Sequence, residues 1–552
     1  MLGILSFIGF TLLVAFISWR ATKNTNEKTS DGYFLGGRSL TAGVIAGSLL
    51  LTNLSTEQIV GLNGSAFTEG ILVMAWETLA AIAMVVTAVF LLPRYLKSGL
   101  ITIPQFLSER FDITTKTLTS ILFLSGYAIV LLPTILYSGS LAISGMFNVP
   151  ELLGVSKDVA LWICVWSIGI IGSIYAVFGG LKAVAVSDAI NAIGLLIGGI
   201  LIPVFGLLVI GQNSILDGIS ILQEKIPSHF DSIGSSSASV PFATIFTGMM
   251  LVQVFYWGTN QQIIQRALGA KNLEEGQKGL LLGAFIKILG PIIVVLPGII
   301  AYYMSTQGSL VVSAPDEAYG QLVRKILPDE LIGFFAAVLF GAILSSFNSV
   351  LNSSVTLFGI DIYKEHINRN AEEKVIVKYG KTFGVLLAIA AMCIAPFLSS
   401  LESIFSYLQQ VNGVYSIPIL TIIFVGFVTK KVPAIAAKIG LLTGSILYVI
   451  SEFILRPNFV NSALDKAKLS GVTGEDALSI VKADAYPHFL HVMAILFALN
   501  TIIMLLIGKF KPKAIPYKQE ESGLVDDTPW KYTKQVGLII CIIVILTYIY
   551  FS

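Results

Sequence analysis

Charged side chains are scarce in this chain. Of its 552 residues, 35 are Lys or Arg and 33 are Asp or Glu, 12% of the total, roughly half the share found in soluble domains. That deficit excludes an ordinary soluble fold, and apolar residues fill it. They make up 55% of the sequence, and the mean hydropathy is +0.83. A net charge of +2 gives no sign of a nucleic-acid partner, and none is expected. Cysteine is nearly absent: Cys164, Cys393 and Cys541 all lie in apolar runs, so neither a disulfide framework nor a thiolate metal site is expected. No HExxH, paired-carboxylate or nucleophile motif is present, which argues against a membrane-embedded enzyme. No repeated pore loop or ring of like charge suggests a channel. His488 and His491 stand beside Tyr486 and Pro487 without an accompanying carboxylate or cysteine cluster. They read as structural residues at a membrane interface.

Long apolar runs are what the chain has in abundance. Fourteen spanning segments are expected, each near the ~20 residues that a bilayer core requires. They fall at 2–19, 40–65, 70–92, 117–147, 157–178, 185–210, 241–262, 278–303, 330–360, 380–398, 402–428, 433–455, 486–508 and 534–551. The first is followed by Arg20, Lys23 and Lys28, as befits a spanning helix with a cationic inner flank rather than a cleaved signal. Pro93, Pro104, Pro291 and Pro396 fall near segment ends or expected bends, where a missing amide donor costs least. Starting outside places most Lys and Arg, among them Arg38, Arg94, Lys97, Arg110, Lys116 and Arg266, in cytoplasmic loops. That asymmetry predicts a multi-pass plasma-membrane protein with both termini outside. The longest outside loops, 211–240 and 456–485, have room for short surface helices.

Polar residues interrupt two of these runs. In the first, GSLLLTNLSTEQIVG (47–61), Asn53, Ser55, Thr56, Glu57 and Gln58 cluster with only Leu54 between them. At bilayer depth such groups cost several kcal/mol each unless satisfied. The backbone around Leu51 to Leu54 can unwind and aim carbonyls at an ion, with Gln58 facing a cavity. The alternative is a polar face buried against other helices. The second interruption is YWGTNQQ (256–262). Segments 40–210 and 241–428 can form two five-helix halves of opposite topology, each opening with an interrupted helix, a pattern that marks transport sites.

Three further sets stand out. In AILSSFNSVLNS (342–353), Ser345, Ser349 and Asn352 share one helical face, with Ser346 and Ser353 adjoining. With the carbonyl of Ala342, these oxygens suit a small hard cation; such residues are also common glue between membrane helices. Glu77 and Lys287 are ionisable residues deep in apolar segments, and Gln409 lies in another. Intramembrane charge suggests function, or a buried pair holding two helices together. Tyr256, Trp257 and Phe405 offer aromatic faces for a sugar, or for packing.

The chain resembles the solute:sodium symporter family, and within it the bacterial sodium/galactose symporters and animal sodium/glucose cotransporters. The resemblance rests on DGYFLGGRSL (31–40), TNLSTEQIVGLNGSAF (52–67), ITIPQFLSERF (101–111), YAVFGGLKAVAVSDAIN (175–191), YWGTNQQIIQRALGAKN (256–272), PIIVVLPGIIAY (291–302) and the run 342–364. It implies an all-α membrane protein with a five-plus-five inverted-repeat (LeuT-like) core. The divisions are 1–39 as first helix and loop, repeats at 40–210 and 241–428, and extra helices at 429–552. The implied activity is sodium-driven import of a neutral sugar or polyol by alternating access, with myo-inositol or a sialic acid as the alternative solutes. Sodium is implied at the carbonyls of Leu51, Leu54 and Ala342 and the hydroxyls of Ser345 and Ser346. The implied sugar contacts are Gln58, Glu77, Lys287 and Gln409, with Asn53 nearby. Tyr256 matches a stacking inner gate, and Leu62 and Phe405 match outer-gate residues. Three positions depart from the galactose pattern: Gln253 replaces an Asn, Ala80 a Ser and Trp76 a Tyr. They leave a sugar-like polyol as the expected solute but count against galactose itself. Asp188, Asn348 and Ser349 match a second sodium site or an exit path; Asp188 can also pair with nearby Lys182.

Overall fold

Apolar runs of this length become helices because, within lipid, only the chain itself can satisfy the backbone hydrogen bonds of a lone spanning segment. The computed structural model describes residues 2–22, 29–400, 404–472 and 474–552. Among them the regular structure is helical, apart from an isolated bridge between Leu40 and Ala270. Among the described residues ten helices are long and apolar enough to cross a bilayer, or twelve when each of two sharply bent pairs counts as one crossing. Ile8–Arg20 and Ala42–Asn53 are shorter apolar helices. The expected fourteen is therefore approximate, and the reason is local. Lys157–Ile210 is kinked at Gly180, whose φ of +59° is left-handed, and counts as two crossings, Lys157–Ile174 and Gly180–Ile210, as expected. Thr56–Lys97, by contrast, runs on past an expected boundary as one crossing, through Gly70 at φ +74°. The loops at 211–240 and 456–485 do carry short helices, at Ile215–Lys225 and Glu475–Ala485.

Ten elements position the site. They are α1 (Ala42–Asn53), α2 (Thr56–Glu69), α3 (Ala75–Val86), α4 (Lys157–Ile210), α5 (Met250–Gly258), α6 (Gln261–Leu268), α7 (Leu273–Ile288), α8 (Asp329–Thr356), α9 (Ile404–Val428) and α10 (Phe489–Phe510). The bridge ties the two interrupted helices together at one end: Leu40 N–H donates to Gly269 O (3.1 Å), and Lys271 N–H to Leu40 O (3.0 Å). Large apolar side chains such as Phe16, Ile197, Phe246 and Ile542 face outward, as a bilayer-embedded surface requires.

Candidate functional site

The first interruption is a true break. Leu54 leaves the helical region at ψ 55°, Ser55 is extended at ψ 174°, and α2 starts at Thr56. Neither glycine nor proline causes it. Instead, neighbours bond part of the freed backbone and of the polar side chains around it, while Thr56 Oγ1 and one Glu57 oxygen are buried without a partner among the described residues. Ser346 of α8 donates to the Thr52 carbonyl at 3.1 Å. The Thr52 hydroxyl lies 3.4 Å from that of Ser345 and 3.2 Å from that of Ser349. Leu51, Leu54 and Ala342 are buried on the same two elements. A break lined by carbonyls and hydroxyls is an all-oxygen donor set, the chemistry a hard cation prefers. Thr52 was not among the expected ion-site residues, although its position between Leu51 and Asn53 was a usable signal.

The second interruption breaks as well. After α5, Thr259 and Asn260 leave the helix, and the two halves meet at 47°. Asn260 caps α6 by accepting from Gln262 N–H (3.3 Å) and is held by the hydroxyl of Tyr127 (2.5 Å).

Between the two breaks lies a cavity whose wall includes Asn53, Gln58, Gln253, Tyr256, Gln409 and Ser346. Trp76 lies on it too, as do Thr52, Ser55, Glu57, Asn260, Gln262, Asn412, Tyr415 and Ser416, which the expected site did not include. Gln409, Asn412 and Ser416 recur at i, i+3 and i+7 along α9, a polar stripe that periodicity alone makes visible. Glu77 and Lys287 stand one row behind that wall, both essentially inaccessible (0% and 1% exposed). Lys287 donates to the Glu77 carboxylate and to the Asn53 side-chain oxygen. Gln58 donates to the other Glu77 oxygen at 3.1 Å. The carboxylate fits because Gly290 has no side chain: a Cβ there would stand 2.3 Å from Glu77 Oε2. Gln253 donates to the Trp76 carbonyl (2.8 Å) and accepts from the Trp257 indole (3.2 Å). Trp257 is thus behind the wall, and Leu62 is fully buried away from it. The Phe405 side chain falls outside the described residues.

Arg266, expected in a loop, is instead wholly buried on α6. The helix that follows the break carries it inward. There it donates to Ser48 Oγ (2.8 Å), the Gln262 carbonyl and Ser349 Oγ, and lies 3.7 Å from Asp188. Asp188, on α4, pairs with this arginine and with Ser48 (2.7 Å). Its second oxygen, like Asn348 Oδ1 and Asn352 Nδ2, has no hydrogen-bond partner among the described residues. Lys116 and Arg110 are also buried rather than in loops. Lys116 pairs with Asp361 and Glu365, and Arg110 binds the carbonyls of Gly426, Thr429 and Val432.

Interrupted helices that cross in an apolar bundle and turn polar groups toward a shared cavity define a secondary transporter. The particular kind follows from kinship. Residues 33–444 match the sodium:solute symporter family, and the chain belongs to it. An uncharacterized symporter of Escherichia coli is 43% identical over 98% of this chain and 90% of its own. The sodium/glucose cotransporter of Vibrio parahaemolyticus is 33% identical over 76% of this chain and 78% of its own. The solved structure of a sodium-coupled sialic acid symporter, 18% identical, superposes with a TM-score of 0.71 over 94% of this chain and 99% of that one. It has the same LeuT-like fold. The protein is a multi-pass, sodium-coupled symporter of a small solute, not an enzyme.

Proposed function

We propose that the solute is a neutral sugar or polyol, imported with sodium by alternating access. The observation that carries this reading is the cavity wall. It has seven amide side chains and the single charged residue Glu57, with no Lys or Arg among the described residues. Hydroxyl groups both donate and accept, and amides match them on both counts. A carboxylated solute needs a cation, and Lys287 is already engaged by Glu77 and Asn53. In this reading Gln58, Gln409, Asn53 and Gln253 bond the solute and Tyr256 stacks on it. Glu77 and Lys287 hold Gln58 and Asn53 in place; Trp257 holds Gln253. Leu62 and Phe405 close the outer side. The name of the Vibrio relative supports a hexose.

Sodium is held by the carbonyls of Leu51, Leu54 and Ala342 and the hydroxyls of Ser345 and Ser346, with Thr52 bridging. Ion donors and solute donors then alternate across one break in the helix: Thr52, Asn53, Leu54, Gln58. An ion that fixes this stretch also presents Asn53 and Gln58, so each ligand strengthens the other's binding by the same factor. Asp188, Asn348 and Ser349 form a second sodium site or the exit path. The halves 40–210 and 241–428 rock about the site, with both termini outside and 1–39 and 429–552 as flanking helices. Thermal-shift screening of a sugar panel with and without sodium tests the substrate class. Stabilisation by a hexose or polyol that requires sodium is expected; stabilisation by carboxylated sugars alone would refute it.

A further inference from the structure

A second cavity, of about 480 Å³, opens among α3, α5, α9 and α10, away from the solute cavity. Its walls are almost wholly apolar: Val86, Val254, Leu420 and Phe497 form the inside. Phe90, Phe424 and Val428 form the lips and are 55%, 44% and 67% exposed. The inner end reaches Thr259, at the break between α5 and α6. Gly258 lets α5 press close there, since a Cβ would lie 2.4 Å from a methyl of Leu91.

One cation stands in this otherwise apolar wall. Arg94 lines the cavity, its guanidinium 5.6 Å above the Phe427 ring and bonded to the Phe90 carbonyl. The side chain is exposed. Among the described residues no carboxylate lies within ion-pair distance of it, and the same holds for Lys430 and Lys431, exposed just beyond Val428 at the end of α9. An apolar crevice with an unpaired cationic rim matches one kind of molecule in a bilayer, one with an apolar chain and an anionic head.

We propose that this crevice is a binding site for an anionic phospholipid, with an acyl chain between α5 and α9 and the phosphate on Arg94. The chain would pack against the helices that carry Glu77, Gln253 and Gln409, so the site braces elements of the transport cavity from the lipid side. Native mass spectrometry of the purified full chain tests it, using equal amounts of phosphatidylglycerol and phosphatidylcholine with identical chains. The unmodified protein should retain phosphatidylglycerol preferentially. Arg94→Gln should reduce that preference roughly fivefold, the effect of one surface cation on an anionic lipid. Lys534→Gln, which neutralises an exposed lysine that does not line the crevice, should leave it unchanged. Val254→Trp, which fills the crevice, should lower retention of both lipids. Equal retention of the two lipids by the unmodified protein would overturn the proposal. So would an unchanged preference in Arg94→Gln, or an equal loss in Lys534→Gln.

Discussion

Two buried ion pairs flank the broken first helix, and they are built differently. Glu77 and Lys287 form a closed set: one carboxylate oxygen meets Lys287, the other meets Gln58, and Lys287 also holds Asn53. Asp188 and Arg266 form an open one. The guanidinium is spread over Ser48, Gln262 and Ser349 and stands 3.7 Å from the carboxylate. One Asp188 oxygen and the side-chain oxygen of Asn348 have no hydrogen-bond partner among the described residues. A closed pair in low dielectric is rigid, and losing one member strands a charge. An open pair keeps acceptor capacity for a passing cation. The first is placed to shape a wall, the second to serve an ion.

The largest effect should come from breaking the closed pair. Lys287→Met leaves Glu77 buried without its cation, a loss of about 3–5 kcal/mol, seen as a lower melting temperature and no measurable uptake. Combining it with Glu77→Gln should recover most of the thermal stability but not transport. Uptake restored in the double variant would mean that the pair only holds two helices together.

A middle-sized effect is expected on the cavity wall. Gln58→Ala and Gln409→Ala should each weaken solute binding by about 1–3 kcal/mol, the cost of an unmatched hydrogen-bonding group, with little change in melting temperature. Normal uptake in both would remove these residues from the site. Ser346→Ala belongs to the ion side. It deletes the bond to the Thr52 carbonyl, so the sodium concentration for half-maximal uptake should rise several-fold while the saturating rate falls less.

Asp188→Asn should lower the melting temperature less than Lys287→Met, because the buried Arg266 loses its carboxylate but keeps three other acceptors. If Asp188 helps to hold a second sodium, uptake rises sigmoidally with sodium in the unmodified protein and becomes hyperbolic in Asp188→Asn and Ser349→Ala. A hyperbolic curve in the unmodified protein would dismiss the second ion.

The membrane-spanning fold was legible because bilayer thickness and backbone satisfaction leave a chain little choice, and apolar runs show both. The break at Leu54–Ser55 was legible too, since consecutive polar residues at depth have few other uses. What periodicity could not show was which side of a wall a residue takes. Glu77 and Lys287 look like solute contacts in sequence, yet they stand behind Asn53 and Gln58. Arg266 looked like loop charge because it follows a polar interruption. The break redirects α6 back into the protein, and only three-dimensional packing reveals that Asp188 waits there. The segment count blurred at Gly70, where α2 ends and a short 3-10 turn leads directly on towards α3.

The most direct test of the central claim is uptake of labelled hexoses and polyols into proteoliposomes containing the purified protein, with sodium outside and potassium inside. At least one neutral sugar or polyol should accumulate above its external concentration, and dissipating the sodium gradient with an ionophore should abolish the accumulation. Accumulation confined to carboxylated solutes, or uptake indifferent to the gradient, would contradict the account.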